Sequence, residues 1–496
     1  MGLVSRQLEP LGDRGQGVGP AIARSAPLQA PRGVHREAPF HRGNAASRQA
    51  LGGAHRADPR EAPRQGASRL GARLLQLPLL AALTLTFGLG CARSSVVETA
   101  LNGDLKTLRA ELQQAEKRGD LGDSEVRRVA HAVASREVRS VDVELAIPRI
   151  RQVHACASSL SAVLEERAEQ ADDAGAEAQL MLIDAGLDSR KELVDRYQRA
   201  ESGAWRAVAA RLTTGLGHAG LRQQLMGDGD ERVRRAALTA ALVARDKRDI
   251  TPLLEAARVD PDALSRSRAA RAAGNIGGQQ VVLGLRDLWE RADETTRVTI
   301  VEAWAMPGAL GSGGESQLVW VVETGEALPA VSAAGALIRT ESQYASSGVA
   351  LLERVVKGGP ATERKLAIAW LPLGEPSTLE RLKEAAKDAD PEIQAAALGR
   401  LLHTGERADA EKQLFKLARG KTGAAFPARL ALAAGGVSEV APLLKQDLGD
   451  KQSSVRQQAA LALARISQFS SAALAMGDES PTVRTRVACS LLLALK

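Results

Sequence analysis

Aromatic residues make up only 2% of this 496-residue chain, and there are three cysteines and seven histidines. Runs rich in Val, Ile, Tyr and Phe at period two are almost absent, which excludes a sheet-based fold. Three cysteines make neither a disulfide framework nor a zinc-binding spacing. Cys156 and Cys489 lie far apart in the sequence and read as two separate buried thiols. What remains is rich in Ala and Leu, both strong helix formers, so the composition reads as all-α.

The formal charge of +7 is confined to one end. Residues 1–90 hold 12 Arg, no Lys and 5 acidic residues, and residues 91–496 balance 54 basic against 54 acidic. A neutral body removes the electrostatic argument for nucleic acid as a partner.

Residues 1–68 are rich in Arg, Gly, Ala and Pro without apolar periodicity, a composition that does not bury enough surface to fold. Arg69 and Arg73 then precede an uncharged apolar run, Leu74–Gly90. This is the layout of a secretory signal over 69–90: a basic stretch, an apolar core and small residues before a cleavage point. Pro78 and the Gly88/Gly90 pair make the run a poor spanning helix. It ends Phe87-Gly88-Leu89-Gly90-Cys91-Ala92, which resembles the lipobox of bacterial lipoproteins. Gly90 and Cys91 match that pattern, and Gly88 stands where the family usually has Leu. The resemblance implies a lipid on Cys91 and, with Ala92 rather than Asp following, an outer-membrane location facing the periplasm. A signal beginning near residue 69 also suggests a translation start downstream of Met1, near Leu70.

The rest of the chain repeats. Asp228-Gly-Asp-Glu-Arg-Val233-Arg234, Asp450-Lys-Gln-Ser-Ser-Val455-Arg456 and Asp478-Glu-Ser-Pro-Thr-Val483-Arg484 are copies of one pattern. With the Val as anchor, ten units follow: Trp205, Val233, Ser265, Thr296, Leu328, Glu363, Ile393, Phe426, Val455 and Val483, spaced 28 to 35 residues apart. Asp lies five residues before the anchor in five units, Arg follows it in seven, and Ala sits four after it in six. The Asp suits a helix N-terminus and the Ala allows close helix approach. A second amphipathic run, such as Ser377–Lys387, lies between anchors, so each unit is a pair of helices that buries its apolar face only against its neighbours.

Residues 205–496 thus resemble HEAT repeats of the short bacterial kind. The resemblance implies an α-solenoid in which the Asp and Arg positions stack as a ladder, and it specifies architecture rather than activity. The units at Leu328, Glu363 and Phe426 depart from the pattern. Gly311-Ser-Gly-Gly314 reads as a flexible loop. Residues 91–204 read as a less regular helical region capping the solenoid. The last unit stops inside its first helix, which is expected to fray or to pack against something.

Chemical motifs are scarce. Gly420-Lys421-Thr422 imitates the end of a phosphate-binding loop, but Phe415 stands where that loop needs Gly. Asp228–Glu231 and Asp388–Asp390 lack the remaining calcium ligands and read as helix caps. His154 and Cys156, two apart, do not share a helix face. The histidines His131, His154, His218 and His403 are scattered. No catalytic, metal or cofactor residue is therefore expected. Trp289, Trp304, Trp320 and Trp370 fall within four consecutive units, either as core or as a partner-binding patch. The expectation is a non-enzymatic, membrane-tethered adaptor that binds another envelope protein through the repeat surface. The alternative, by analogy with bilin-lyase-like HEAT arrays, is a catalytic array.

Overall fold

A computed structural model describes residues 95–325 and 327–496. Cys91, the signal segment and the residues before it lie outside the described residues. Every regular element among the described residues is helical, and none of these helices is long and apolar enough to cross a membrane.

The fold is an α-solenoid of paired helices. The anchor-bearing helix of each unit packs on that of the next. The series runs from Gly203–Leu212 to Glu231–Ala244, Ala263–Ile276, Glu294–Trp304 and Ala327–Arg339. It continues through Ala361–Trp370, Pro391–Leu401, Ala425–Ala434 and Ser453–Arg465 to Pro481–Ala494. The partner helices, such as Ile250–Val259 and Gln279–Trp289, touch one another much less. That difference puts the anchor helices on the inside of the curve. Their small residues are the reason: Ala237, Ala269, Ala303 and Ala397 are all fully buried, and helices with small contact residues come closer together.

Helix starts follow simple chemistry. Asp230, Asp262, Asp293 and Asp390 are the N-caps of four anchor helices, and each side chain accepts a backbone N–H of the first turn. The Asp five residues before the anchor does something else, which corrects the sequence expectation. Asp228, Asp260, Asp388 and Asp478 each accept the backbone N–H two residues on and tighten the turn. Each then pairs with the Arg that follows the anchor of the preceding unit.

This is the expected ladder. Arg234 bonds both oxygens of Asp260 at 2.8 and 3.1 Å, and its other arm donates to the carbonyls of Asp228 and Gly229. Arg206 with Asp228 and Arg456 with Asp478 repeat the arrangement. One guanidinium thus satisfies carbonyls before its own helix and locks the next unit. At the aberrant Phe426 unit the ladder arginine is Arg429, which bonds Ala418 O and pairs with Asp447. The register there is two residues later than the sequence suggested.

Gly311–Gly314 is not a free loop. It is a wide helical turn in which Ser312 Oγ accepts the N–H of Gly278 and donates to Gly308 O. A side chain at Gly314 would meet Trp304 O at 2.4 Å, so the glycine permits close packing.

The series of inner helices closes on itself. Pro481–Ala494 packs on Asp123–Val138 and Val143–Gln152. The latter packs on Asp173–Asp184, which packs on Gly203–Leu212, the start of the series. The last helix therefore does not fray. Val483, Val487, Leu491 and Leu492 are buried in this seam. The two cysteines, expected to be separate thiols, are joined here: Cys156 and Cys489 form a disulfide across 333 residues with their Cα atoms 5.4 Å apart. Sequence distance concealed the pairing because only closure of the series brings the two ends together.

Candidate interaction surface

Arginine is the only basic residue on the inner helices between residues 143 and 304. Most of these arginines are already neutralised by a carboxylate on a neighbouring inner helix. Arg151 meets Glu177 at 2.7 Å, Arg211 meets Asp184 at 2.5 Å, and Arg235 meets Asp262 at 2.7 Å. Arg271 pairs with Glu302. Arg232 reaches across a whole helix to Asp173 at 2.8 Å. It can do so because Gly203 opens the intervening helix: a Cβ there would lie 1.8 Å from Asp230 Oδ2.

Arg268 is the exception. It is exposed, and no carboxylate, carbonyl or ring among the described residues partners it. Its pKa is lowered, first by desolvation, then by Arg235 and more weakly Arg151, against the opposing pull of Asp184 and Asp262. Arg232 and Arg151, by contrast, have raised pKa values because their carboxylate partners hold the charged form. The arrangement can bind an anionic group at Arg268 without first breaking an internal pair.

The four tryptophans separate into two groups. Trp289 and Trp304 are core residues, 2% and 0% exposed, stacked with ring centroids 5.5 Å apart. Trp304 Nε1 donates to Val282 O at 3.3 Å, which satisfies its buried N–H. Trp320 meets Trp289 edge-on and carries the Arg286 guanidinium over its outer face at 3.2 Å. Trp370 stands apart from these three and packs against Gly335, where any side chain would collide with its ring. Trp320 and Trp370 are half-buried.

The sequence did not single out the polar groups at the seam. Glu137 is fully buried and receives Arg484 Nε and Nη2 at 2.9 and 2.7 Å. Arg484 also donates to the carbonyls of Asp478 and Glu479, as a ladder arginine does. Glu137, 347 residues earlier, therefore takes the place that the next unit's Asp holds elsewhere. The available signal was that Arg484 follows an anchor but has no Asp after it in the sequence.

The protein-family model described as HEAT repeats matches residues 218–306, the stretch that holds the anchors Val233, Ser265 and Thr296. That part of the array is of HEAT type. No curated protein matches the chain. Among solved structures, a crystal structure of an engineered protein is 17% identical, with 75% of this chain and 99% of that chain covered and a TM-score of 0.24. A Kap121p mutant is 12% identical, with 76% of this chain and 48% of that chain covered and a TM-score of 0.26. Kap121p bound to Ste12p is 13% identical at the same coverages, with a TM-score of 0.23. The chain thus spans about half the length of the Kap121p chains.

Proposed function

We propose that the protein is a non-catalytic, protein-binding scaffold held at a bacterial outer membrane by lipid on Cys91 and facing the periplasm. The observation that carries the binding role is the inner surface around Arg268, where one guanidinium is left open inside a band of otherwise closed ion pairs. It suits an acidic group on a partner envelope protein. The disulfide between Cys156 and Cys489 supports the proposed compartment, because such bonds persist in oxidising spaces such as the periplasm.

In-cell photo-crosslinking from position 264, beside Arg268, tests this reading. Wild type is expected to capture one envelope protein reproducibly, and capture is expected to fall with Arg268→Glu and with Cys91→Ala. Fatty-acid labelling of wild type but not of Cys91→Ala is expected in the same cells. Equal labelling of both forms contradicts the anchor, and capture unchanged by Arg268→Glu contradicts the binding surface.

A further inference from the structure

The ordinary joints of the array balance one guanidinium against one carboxylate, as Arg234 does with Asp260. The seam does not. Three guanidiniums converge on Glu137: Arg484 at 2.7 Å, Arg149 Nη1 at 3.1 Å and Arg136 Nη2 at 3.9 Å. The Arg149 contact is an ion pair by distance but lacks hydrogen-bond geometry, since Glu137 Oε2 accepts no bond. Arg136 Nη1 is buried and has no acceptor. The four side chains together carry two more positive charges than negative ones.

Excess charge in a desolvated place is costly unless a counter-charge is supplied. Burial, followed by the nearby Arg484 and Arg149, lowers the pKa of Arg136, and only Glu137 opposes them. The guanidinium stays charged at neutral pH all the same, so relief must come from an anion. Access exists on one side. The Arg136 and Arg149 side chains are 28% and 15% exposed, whereas Glu137 and Arg484 are closed off at 0% and 4%. Arg136 is also held in place: its guanidinium lies over Gly103, where an added Cβ would come within 2.8 Å.

We propose that Arg136 and Arg149, backed by Arg484, form a binding site for a phosphate-type oxyanion that neutralises the seam and holds the array closed. Planar guanidiniums match the paired oxygens of such a group, and charge-assisted bonds of this kind are the strong ones. The phosphate can come from solution or from a lipid headgroup, and the recognition chemistry is the same.

The test uses the purified full chain with its disulfide intact. Inorganic phosphate is titrated at constant ionic strength against chloride, followed by thermal unfolding and by phosphorus NMR line width. A parallel arm measures co-sedimentation with phosphatidylglycerol vesicles. Phosphate is expected to raise the unfolding temperature where chloride does not. Arg136→Gln is expected to weaken phosphate binding by about tenfold or more. Glu137→Gln is expected to tighten it, because the internal competitor is gone. If that variant does not fold, Arg149→Gln takes its place and is expected to weaken binding like Arg136→Gln. Vesicle binding that Arg136→Gln abolishes, without a response to free phosphate, identifies the headgroup as the source. Phosphate and chloride acting alike with no vesicle binding overturns the proposal, as does binding that Arg136→Gln leaves unchanged.

Discussion

Two kinds of joint hold the inner helices together, each with an arginine on a carboxylate, and they differ in sequence distance and in charge balance. At an interior joint, Arg234 clasps Asp260 across 26 residues. At the seam, Arg484 clasps Glu137 across 347 residues, with the same second arm to backbone carbonyls. The interior joint forms from neighbouring units and requires little chain closure. The seam forms only when nearly the whole array is in place, so its loop-closure cost is larger. One reinforcement found nowhere else among the described residues, the disulfide, offsets that cost there, together with the buried apolar face of the last helix, which includes Val487 and Leu491.

If the seam depends on a single buried carboxylate, removing that group should hurt more than removing an interior one. Glu137→Ala leaves three guanidiniums facing each other and is expected to cost about 4 kcal/mol. Asp260→Ala leaves Arg234 with its carbonyl partners and is expected to cost about 2 kcal/mol. Denaturant unfolding gives the totals, and hydrogen exchange in 481–494 against 263–276 shows where each loss falls. Equal effects of the two variants would erase the distinction between the joints.

The disulfide comes next. Cys489→Ala in the full chain is expected to lower stability by about 3 kcal/mol. The loss should appear as faster exchange in 123–152 and 481–494, with 218–306 unchanged. Uniform loosening along the chain would mean that the seam is not a separate element.

Acid should act on the aspartates that arginines hold ionised along the array, among them Asp246, which pairs with Arg248 and Arg222. Hydrogen bonding to Arg248, with a smaller pull from Arg222, lowers the pKa of Asp246 to about 2 from 3.8. The fold favours the ionised form, so this contribution is complete above about pH 4 and is lost as pH falls toward the folded value. Asp228 and Asp478, held mainly by Arg206 and Arg456 against desolvation, shift the same way. Asp246→Asn is expected to cost about 1 kcal/mol at pH 7 and almost nothing at the acid end of that window. A cost that is the same at both ends would show that the carboxylate charge of Asp246 is not what stabilises this turn.

The smallest effect belongs to the rim of the seam. Lys445 pairs with Glu116 at 2.5 Å, but its side chain is 45% exposed. Lys445→Ala is expected to change stability by less than about 1 kcal/mol, and less again in high salt. A larger loss would move the weight of closure from the buried Glu137 cluster to this outer pair.

The interior joints were legible in the repeat pattern alone. The Asp before each anchor and the Arg after it carry the ladder, although the Asp tightens a turn and locks the neighbouring unit instead of capping its own helix. Residues 218–306, where the HEAT-repeat match falls, hold two units, at Val233 and Ser265, that carry the Asp, the Arg and the Ala together. Where the motif decayed the register slipped, as at Phe426, because an apolar residue alone does not mark which turn faces inward. The Trp residues were visible as a group, but burial divides them: a period in sequence does not say which ring the neighbouring unit covers. The seam was illegible for a different reason. Glu137 and Cys156 belong to irregular helices with no repeat to align them, and their partners lie more than 300 residues away. The one clue was an unmatched ladder arginine in the last unit.

Closure of the array is the central claim, and peptide mapping of the non-reduced full chain tests it most directly. After digestion without reductant and with free thiols blocked, mass spectrometry should find the Cys156 peptide joined to the Cys489 peptide, and the pair should separate on reduction. Both peptides recovered as blocked free thiols from protein purified out of an oxidising compartment would contradict the account.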